Sequence, residues 1–441
     1  MPALITLGTR EVYSGNRVVT YSPFGIDLAQ HCYVIGASGS GKTNVLRNVL
    51  IQAINQGEGI GVLDPHGDLA HDLIDYIAPS HIRDVCYFDA ADLAYPMSWN
   101  LLASVPADQQ PLVTEGIVGA FRNLFGAGWG YRTEHILRNA VAALLAADNT
   151  SLLGIAKLLT HPTYRASILN QVTDPVVRGF WFDEFEQWSI SFRQEAIAPL
   201  QNKLGALFAS PALRNILGQV KNRFDPRTLM DNRGIFIARL PKGLIGDGPA
   251  NLLGALLLTQ FQQAALQRAN AAVENRTPFH LVIDEFPCFL TDEPEAFATT
   301  LAEARKYGLF LTLAHQFTAQ IHSDELQQAI LSNVGSTIAF RVSGRDARLL
   351  EDVFAPDFTR PHLVNLKRGE VIAKIQQDGA PGIPFQGTID PPIQERQGRG
   401  KTIIAESRKR FAESRALVED RITKFLATTP APQEKAHYLG Q

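Results

Sequence analysis

The chain has 441 residues, enough for two or three domains, and its 45% hydrophobic and 19% charged residues are typical of a globular protein. A formal net charge of -3 excludes a general electrostatic affinity for nucleic acid, so any contact with DNA requires local basic patches. We expect no signal peptide and no membrane insertion, because the longest apolar runs fall short of the ~18 residues that a membrane span needs.

The first elements predict strands that lead into a nucleotide domain. Residues 1–30 contain two short strand-like runs, which we expect to pack on the edge of the core. The three cysteines, Cys32, Cys86 and Cys288, lie far apart without metal-type spacing. We therefore expect free thiols and a cytoplasmic protein.

A glycine-rich loop follows the apolar run 32–35 and precedes a segment with the apolar spacing of a helix. Strand, glycine loop and helix in this order are the context of a phosphate-binding P-loop. Its backbone amides point at one phosphate group, its lysine reaches the β- and γ-phosphates, and its hydroxyl holds magnesium. The predicted nucleotide-binding residues are Gly36, Ala37, Ser38, Gly39, Ser40, Gly41, Lys42 and Thr43, with Lys42 also catalytic and Thr43 also a magnesium ligand.

The pattern along the chain predicts an α/β domain with an insertion. Strands alternate with helices over residues 31–105 and again over 230–390, which indicates one mainly parallel sheet. Between them, in residues 106–229, apolar residues recur every three or four positions, which predicts an all-helical inserted domain. Its aromatic residues serve either core packing, which we favour, or base stacking. Residues 391–441 are expected to form one charged helix over 401–426 and a flexible tail.

Carboxylates and an amide follow the predicted parallel strands. Asp64 and the pair Asp284 and Glu285 each come directly after an apolar run, at the strand ends that face the ligand crevice of such a sheet. Asp284 is the predicted magnesium ligand, and Glu285 is the predicted residue that orients and polarises the attacking water. Gln316 ends the next predicted strand, where an amide can contact the γ-phosphate.

Transition-state charge on a γ-phosphate usually requires an arginine, supplied by the same or a neighbouring subunit. The candidates are Arg305, Arg341 and Arg345. The residue pattern does not rank them, because each has the ordinary alternative of a surface ion pair.

Several of these segments, in order and spacing, resemble the TraG/TrwB-type coupling ATPases of conjugation and type IV secretion, within the HerA–FtsK superfamily of DNA-pumping motors. The segments that carry the resemblance are 35–43, 63–68, 83–85, 89–92, 282–286, 303–308, 314–316 and 333–335. The resemblance implies a RecA-like core, ATP and Mg²⁺ at the interfaces of a homo-hexameric ring, and DNA passing through a central channel. It also places Arg305 first among the arginines, and it places Asp64 near the active site, where we expect Asp64 to take part in nucleotide binding.

The resemblance leaves the biological role open. Coupling proteins of this type begin with transmembrane helices, and we expect this chain to be a soluble member without that anchor. The expected partners are DNA, single- or double-stranded, and a protein from a relaxosome, a secretion channel or a nuclease. The alternatives are a HerA-like motor that works with a nuclease in DNA-end processing or mobile-element defence, and an ATP-gated scaffold that pumps no DNA.

Overall fold

A computed structural model describes residues 4–14, 17–290, 294–321, 323–376, 380 and 382–427. The chain divides into two compact units. The first comprises Met1–Asp92, Gly119–Gly126 and Phe224–Ala412, and the second comprises Leu93–Val118, Ala127–Arg223 and Glu413–Gln441. The predicted flexible tail lies outside the described residues, and the predicted domain boundaries remain predictions.

The first unit is built on one sheet of eleven strands, in the order β2-β1-β11-β10-β9-β3-β8-β7-β4-β6-β5. The strands are β1 (Leu4–Ser14), β2 (Arg17–Asp27), β3 (Cys32–Ile35), β4 (Gly59–Asp64), β5 (Val85–Asp89), β6 (Ile235–Arg239), β7 (Phe279–Ile283), β8 (Leu309–His315), β9 (Ser336–Ala339), β10 (Glu370–Ile375) and β11 (Phe385–Ile389). All neighbours from β9 to β5 run parallel, whereas the other four pairs are antiparallel. The mainly parallel α/β fold is therefore confirmed.

Helices connect these strands and form the second unit. They are α1 (Lys42–Asn55), α2 (Asp68–Leu73), α3 (Gln110–Phe125), α4 (Tyr131–Leu145), α5 (Gly154–Thr160), α6 (Pro162–Leu169), α7 (Pro175–Gly179), α8 (Ile190–Phe208), α9 (Pro211–Leu217), α10 (Pro226–Asp231), α11 (Lys242–Ile245), α12 (Asp247–Leu266), α13 (Pro294–Ala304), α14 (Asp324–Asn333), α15 (Gly344–Phe354), α16 (Arg360–Val364), α17 (Gly400–Phe411) and α18 (Arg415–Ala427). Among the described residues, no helix is long and apolar enough to cross a membrane.

Burial explains why the central strands read as apolar runs rather than as alternating patterns. Every residue of β3, β4, β7 and β8 is buried, as expected for parallel strands that helices cover on both faces. Cys32 and Cys86 are free thiols buried in this core. Because no water reaches it, the pKa of the Cys32 thiol is raised to about 12.

The predicted single C-terminal helix is wrong, because two helices occupy that segment. Ala412 is extended (φ -114°, ψ 169°) and separates α17 from α18. The N–H groups of Glu413 and Arg415 donate to the carbonyls of Pro96 and Ala94 instead of to their own helix (3.2 and 2.9 Å). These alternative acceptors satisfy the backbone and end the helical hydrogen-bond pattern.

In the second unit, some aromatic side chains are buried and others are exposed. Trp181 has no exposed surface and packs edge-on against Phe180 and Phe185, with ring centroids 5.0 and 4.8 Å away. Tyr131, in contrast, is 96% exposed, and Phe182 is 39% exposed. Core packing is therefore confirmed for Trp181, and base stacking stays open for the two exposed rings.

A buried histidine beside the sheet gives a prediction about acid stability. The Nδ1 atom of His31 accepts the N–H of Leu311 (2.9 Å), so the ring donates from Nε2 to the carbonyl of Leu301 (2.9 Å) and is neutral. Burial lowers the pKa of His31 from 6.5 to about 4, and the positive charge of Arg305 adds to this effect.

We expect the free energy of unfolding to fall as the pH drops from 6.5 to 4, because the unfolded chain binds a proton there and the folded chain does not. For His31 the loss is about 3 kcal/mol. Thermal unfolding of His31→Asn across this pH range is expected to show a weaker dependence than wild type. The exposed His71→Asn is the control, and an equal slope in wild type and His31→Asn would contradict this account.

Candidate active site

The sheet order gathers the predicted site residues at one edge. β3, β8, β7 and β4 are consecutive parallel neighbours, so their carboxyl ends meet. The glycine loop follows β3, Gln316 follows β8, Asp284 and Glu285 follow β7, and Asp64 ends β4. This edge is the usual position of a ligand crevice in a parallel α/β sheet.

The loop between β3 and α1 depends on two glycines in conformations that other residues rarely adopt. Gly39 has φ 73° and Gly41 has φ 126°. A Cβ at Gly41 would also lie 2.9 Å from the ring of Phe340. The loop is tied to the sheet by the Ala37 N–H, which donates to the carbonyl of Arg341 (2.9 Å). These features produce a curled backbone at a helix N-terminus, an arrangement whose N–H groups and helix dipole suit a phosphate group.

Lys42 lies inside this loop and is only 7% exposed. Its Nζ donates to the carbonyls of Gly36 (2.6 Å) and Ala37 (3.3 Å). Burial lowers its pKa, and the nearby carboxylates of Glu285 and Asp284 oppose that effect. The ammonium is therefore positioned between the loop and the acidic strand end.

Asp284 and Glu285 are buried, with 6% and 4% of their surface exposed. Burial, followed by the charges of Asp64 and Glu285, raises the pKa of Asp284 to about 7. The charges of Asp64 and Glu285 disfavour the ionised form of Asp284, an effect that a bound cation relieves, and oxygen ligands are those that Mg²⁺ prefers. The donor set therefore fits a magnesium ion held partly by phosphate oxygens.

Glu285 is held in a strained backbone conformation by side chains from another loop. Its φ of 47° and ψ of 46° place it in the left-handed region, which costs a non-glycine residue about 1–3 kcal/mol. Gln316 donates from Nε2 to Oε1 of Glu285 (2.8 Å), and Gln320 donates from Nε2 to Oε2 (3.1 Å). The structure thus brings Gln316 to Glu285, and the contact of Gln316 with the γ-phosphate stays a prediction.

Asp64 stabilises the turn that follows β4. Its Oδ1 accepts the N–H of His66 and its Oδ2 accepts the N–H of Ala70, both at 2.9 Å. Both carboxylate oxygens therefore order the turn into α2, close enough to Asp284 to influence its pKa. A direct role of Asp64 in binding nucleotide stays a prediction.

The arginine candidates lie at opposite ends of the strands. Arg305 precedes β8, at the edge where the parallel strands begin. Because β8 has seven residues, about 20 Å separates Arg305 from the carboxyl end of that strand. Arg341 and Arg345 follow β9 and are exposed on the same edge as the glycine loop.

Sequence reasoning missed two residues that the structure joins to the site. Gln320 lies four residues after Gln316, in a loop whose shape the sequence does not reveal. Asp346 is buried at the start of α15 and accepts the N–H and Oγ–H of Thr318 in that loop (2.8 and 2.7 Å). The sequence feature that could have indicated Gln320 is its position as a second glutamine close to a predicted strand end.

Comparison with known proteins supports the fold. The profile of a family described as "Helicase HerA, central domain" matches residues 15–237. Two solved structures of the bacterial conjugative coupling protein TrwB, one unbound and one with ADP and Mg²⁺, are each 16% identical, with TM-scores of 0.62 and 0.61. The first alignment covers 89% of this chain and 95% of TrwB, and the second covers 90% and 98%.

VirB4 of Thermoanaerobacter pseudethanolicus is 14% identical with a TM-score of 0.56, over 88% of this chain and 96% of that one. No curated protein matches the chain. Similarity at these identities establishes the architecture, and it confirms the predicted RecA-like P-loop fold.

Proposed function

Because the chain belongs to the family of the HerA helicase central domain, we propose that it is a ring-forming motor that hydrolyses Mg-ATP and moves DNA through a central channel. The observation that carries the proposal is the convergence, at one sheet edge, of the glycine loop, Lys42, Asp284 and the buried Glu285 with its Gln316 contact. Phosphate binding alone has no use for a fixed buried glutamate at this position, whereas hydrolysis uses such a residue as a positioned general base.

In this proposal the loop from Gly36 to Thr43 binds the phosphates of ATP, and Lys42 exchanges its contacts with loop carbonyls for phosphate oxygens. Thr43 and Asp284 hold Mg²⁺, which supplies charge neutralisation between the phosphates when it is bound. Within the described ranges, no group of three histidine, cysteine or acidic side chains is arranged to hold a metal. The phosphates would therefore provide the remaining ligands, as is usual for Mg²⁺.

Glu285 is the proposed base. Its carboxylate accepts a proton from the attacking water and fixes the direction of attack on the γ-phosphate. Gln316, hydrogen-bonded to the same carboxylate, contacts the γ-phosphate and transmits its loss to the loop after β8. Solved structures of TrwB contain an ATP analogue, a GTP analogue, and ADP with Mg²⁺, and the first and the last support ATP as the nucleotide of this chain.

Arg305 is proposed to act on the nucleotide of a neighbouring subunit. An arginine side chain is too short to bridge the about 20 Å along β8, so Arg305 cannot reach the site of its own chain. Arg341 and Arg345 lie on the site's own edge and are the candidates for a contact within one subunit.

A mixture of Arg305→Ala and Lys42→Ala subunits is expected to regain ATP hydrolysis that neither variant shows alone. In mixed rings, an intact loop from the first variant meets an intact Arg305 from the second. Loss of such an arginine costs about 10³- to 10⁵-fold in kcat, so partial recovery is easily measured. A mixture no more active than its two components would place the arginine elsewhere, and Arg341→Ala mixed in the same way is the comparison.

DNA, a homo-hexameric ring, a cytoplasmic site of action and a protein partner belong to the same proposal. The basic residues Arg223 and Arg227 give DNA little support, because Arg223 pairs with Glu413 (3.1 Å) and Arg227 pairs with Asp231. The family match supports a HerA-like motor, and a role beside a nuclease is the alternative proposal.

Translocation is tested by release of a third strand from duplex DNA. We expect wild-type protein with Mg-ATP to displace the third strand and Lys42→Ala to leave it in place. No displacement by assembled, ATP-hydrolysing protein would reject DNA pumping and favour an ATP-gated scaffold. If displacement is observed, the next experiment is the search for a nuclease partner.

A further inference from the structure

Gln320 contacts both the catalytic glutamate and the backbone of the loop in which it lies. Its Oε1 accepts the N–H groups of Gln316 and Phe317, each at 3.1 Å, and its Nε2 donates to Oε2 of Glu285 at 3.1 Å. Backbone N–H groups only donate, so the carbonyl oxygen must face them and the NH₂ group must face Glu285. The hydrogen-bond network thus fixes the orientation of this amide.

The two glutamines together occupy both oxygens of Glu285. Gln316 holds Oε1 and Gln320 holds Oε2. A carboxylate offers about four acceptor positions, so each oxygen keeps room for a further donor such as a water. The two hydrogen bonds therefore restrict the rotation of the carboxylate and still leave it accessible to a water.

The loop that carries Gln320 has anchors of its own. Thr318 is bonded to the buried Asp346, which also accepts the Oγ–H of Ser343 (2.5 Å). The side chain of Gln327 donates to the carbonyls of Thr318 (3.2 Å) and Ile321 (2.8 Å). Because these contacts do not involve Gln320, its contact with Glu285 is not needed to fold the loop.

We propose that Gln320 is a positioning residue for ATP hydrolysis: it holds Glu285, in its left-handed backbone conformation, at the angle from which the carboxylate addresses the attacking water. The inference rests on the proposed function of Glu285 as base. It assigns Gln320 a role distinct from that of Gln316, because two backbone N–H groups hold the carbonyl oxygen of Gln320 and so fix its amide against Glu285. The NH₂ group of Gln316 also donates to Glu285 and keeps a second N–H for the γ-phosphate.

Gln320→Glu separates positioning from loop structure. The glutamate keeps the length of the side chain and the oxygen that accepts the two backbone N–H groups, but it loses the donor to Glu285 and sets a second carboxylate against that residue. We expect kcat for ATP hydrolysis to fall on the order of 100-fold, the size of effect that a misplaced catalytic group produces. In Gln320→Ala, which adds no charge, KM and the affinity for a non-hydrolysable ATP analogue are expected to stay within about twofold of wild type, because phosphate binding does not use Gln320.

Gln320→Ala is the second variant and is expected to lower kcat by a similar factor. Gln327→Ala loosens the same loop without touching Glu285 and is expected to keep most of the wild-type kcat, and the exposed Gln328→Ala is the matched surface control. Wild-type turnover in Gln320→Glu, or an equal loss of kcat in Gln327→Ala, would overturn the positioning role. Absence of hydrolysis in the wild type would instead contradict the proposed function itself.

Discussion

Glu285→Gln is expected to lower kcat for ATP hydrolysis by about 10²- to 10⁴-fold, the contribution of a positioned general base. The substitution keeps the size of the side chain but removes the group that accepts the proton of the attacking water. It also places an amide NH₂ against the NH₂ group of either Gln316 or Gln320, because the two carboxylate oxygens of Glu285 each accept one amide. Backbone N–H groups prevent the amide of Gln320 from turning over, so the contact with Gln316 is kept only if the amide of Gln316 turns over.

Binding of ATP is expected to survive this change, since the glycine loop and Lys42 do not depend on Glu285. The measurement is steady-state turnover beside equilibrium binding of a fluorescent ATP analogue. Glu325→Gln, the same substitution at an exposed position of α14, is the control. Near-normal kcat in Glu285→Gln would remove Glu285 from the chemistry.

Lys42→Ala is expected to weaken ATP binding by about 10- to 100-fold and to abolish measurable hydrolysis. Lys42 supplies the buried positive charge of the site, and a hydrogen bond to a charged group contributes about 1.5–3 kcal/mol. Its loss also removes the Nζ donor that lies 2.6 Å from the carbonyl oxygen of Gly36 and 3.3 Å from that of Ala37.

The comparison for Lys42→Ala is Lys401→Ala, at an exposed position of α17, which is expected to bind and hydrolyse ATP as the wild type does. Binding is measured with the fluorescent analogue and folding by thermal unfolding. Undiminished analogue affinity in a folded Lys42→Ala protein would show that the nucleotide binds elsewhere.

The local parts of the site could be predicted from the sequence because their chemistry is contiguous. The residues from Gly36 to Thr43 form one loop, and Asp284 with Glu285 ends one apolar run. Their strand-end positions were enough to place them, with Gln316, at a common edge of a parallel sheet. The fold class followed from the same alternation of strands and helices.

Contacts between distant segments could not be predicted in this way. The strand order places β8 between β3 and β7, and this order brings Gln320 to Glu285, which is 35 positions away in the sequence. The break at Ala412 depends on carbonyls at Ala94 and Pro96 that no local pattern of the C-terminal segment contains. The strand β11 could not be predicted from the sequence, because this partly exposed segment contains threonine and glycine and lacks a strong apolar run.

The central claim is that ATP hydrolysis is coupled to DNA, and the most direct test is steady-state turnover without nucleic acid, with single-stranded DNA and with duplex DNA. We predict severalfold stimulation of the wild type by one of the two DNA forms, abolished in Lys42→Ala and in Glu285→Gln. Equal turnover in all three conditions, by protein shown to be assembled, would contradict a motor that acts on DNA alone.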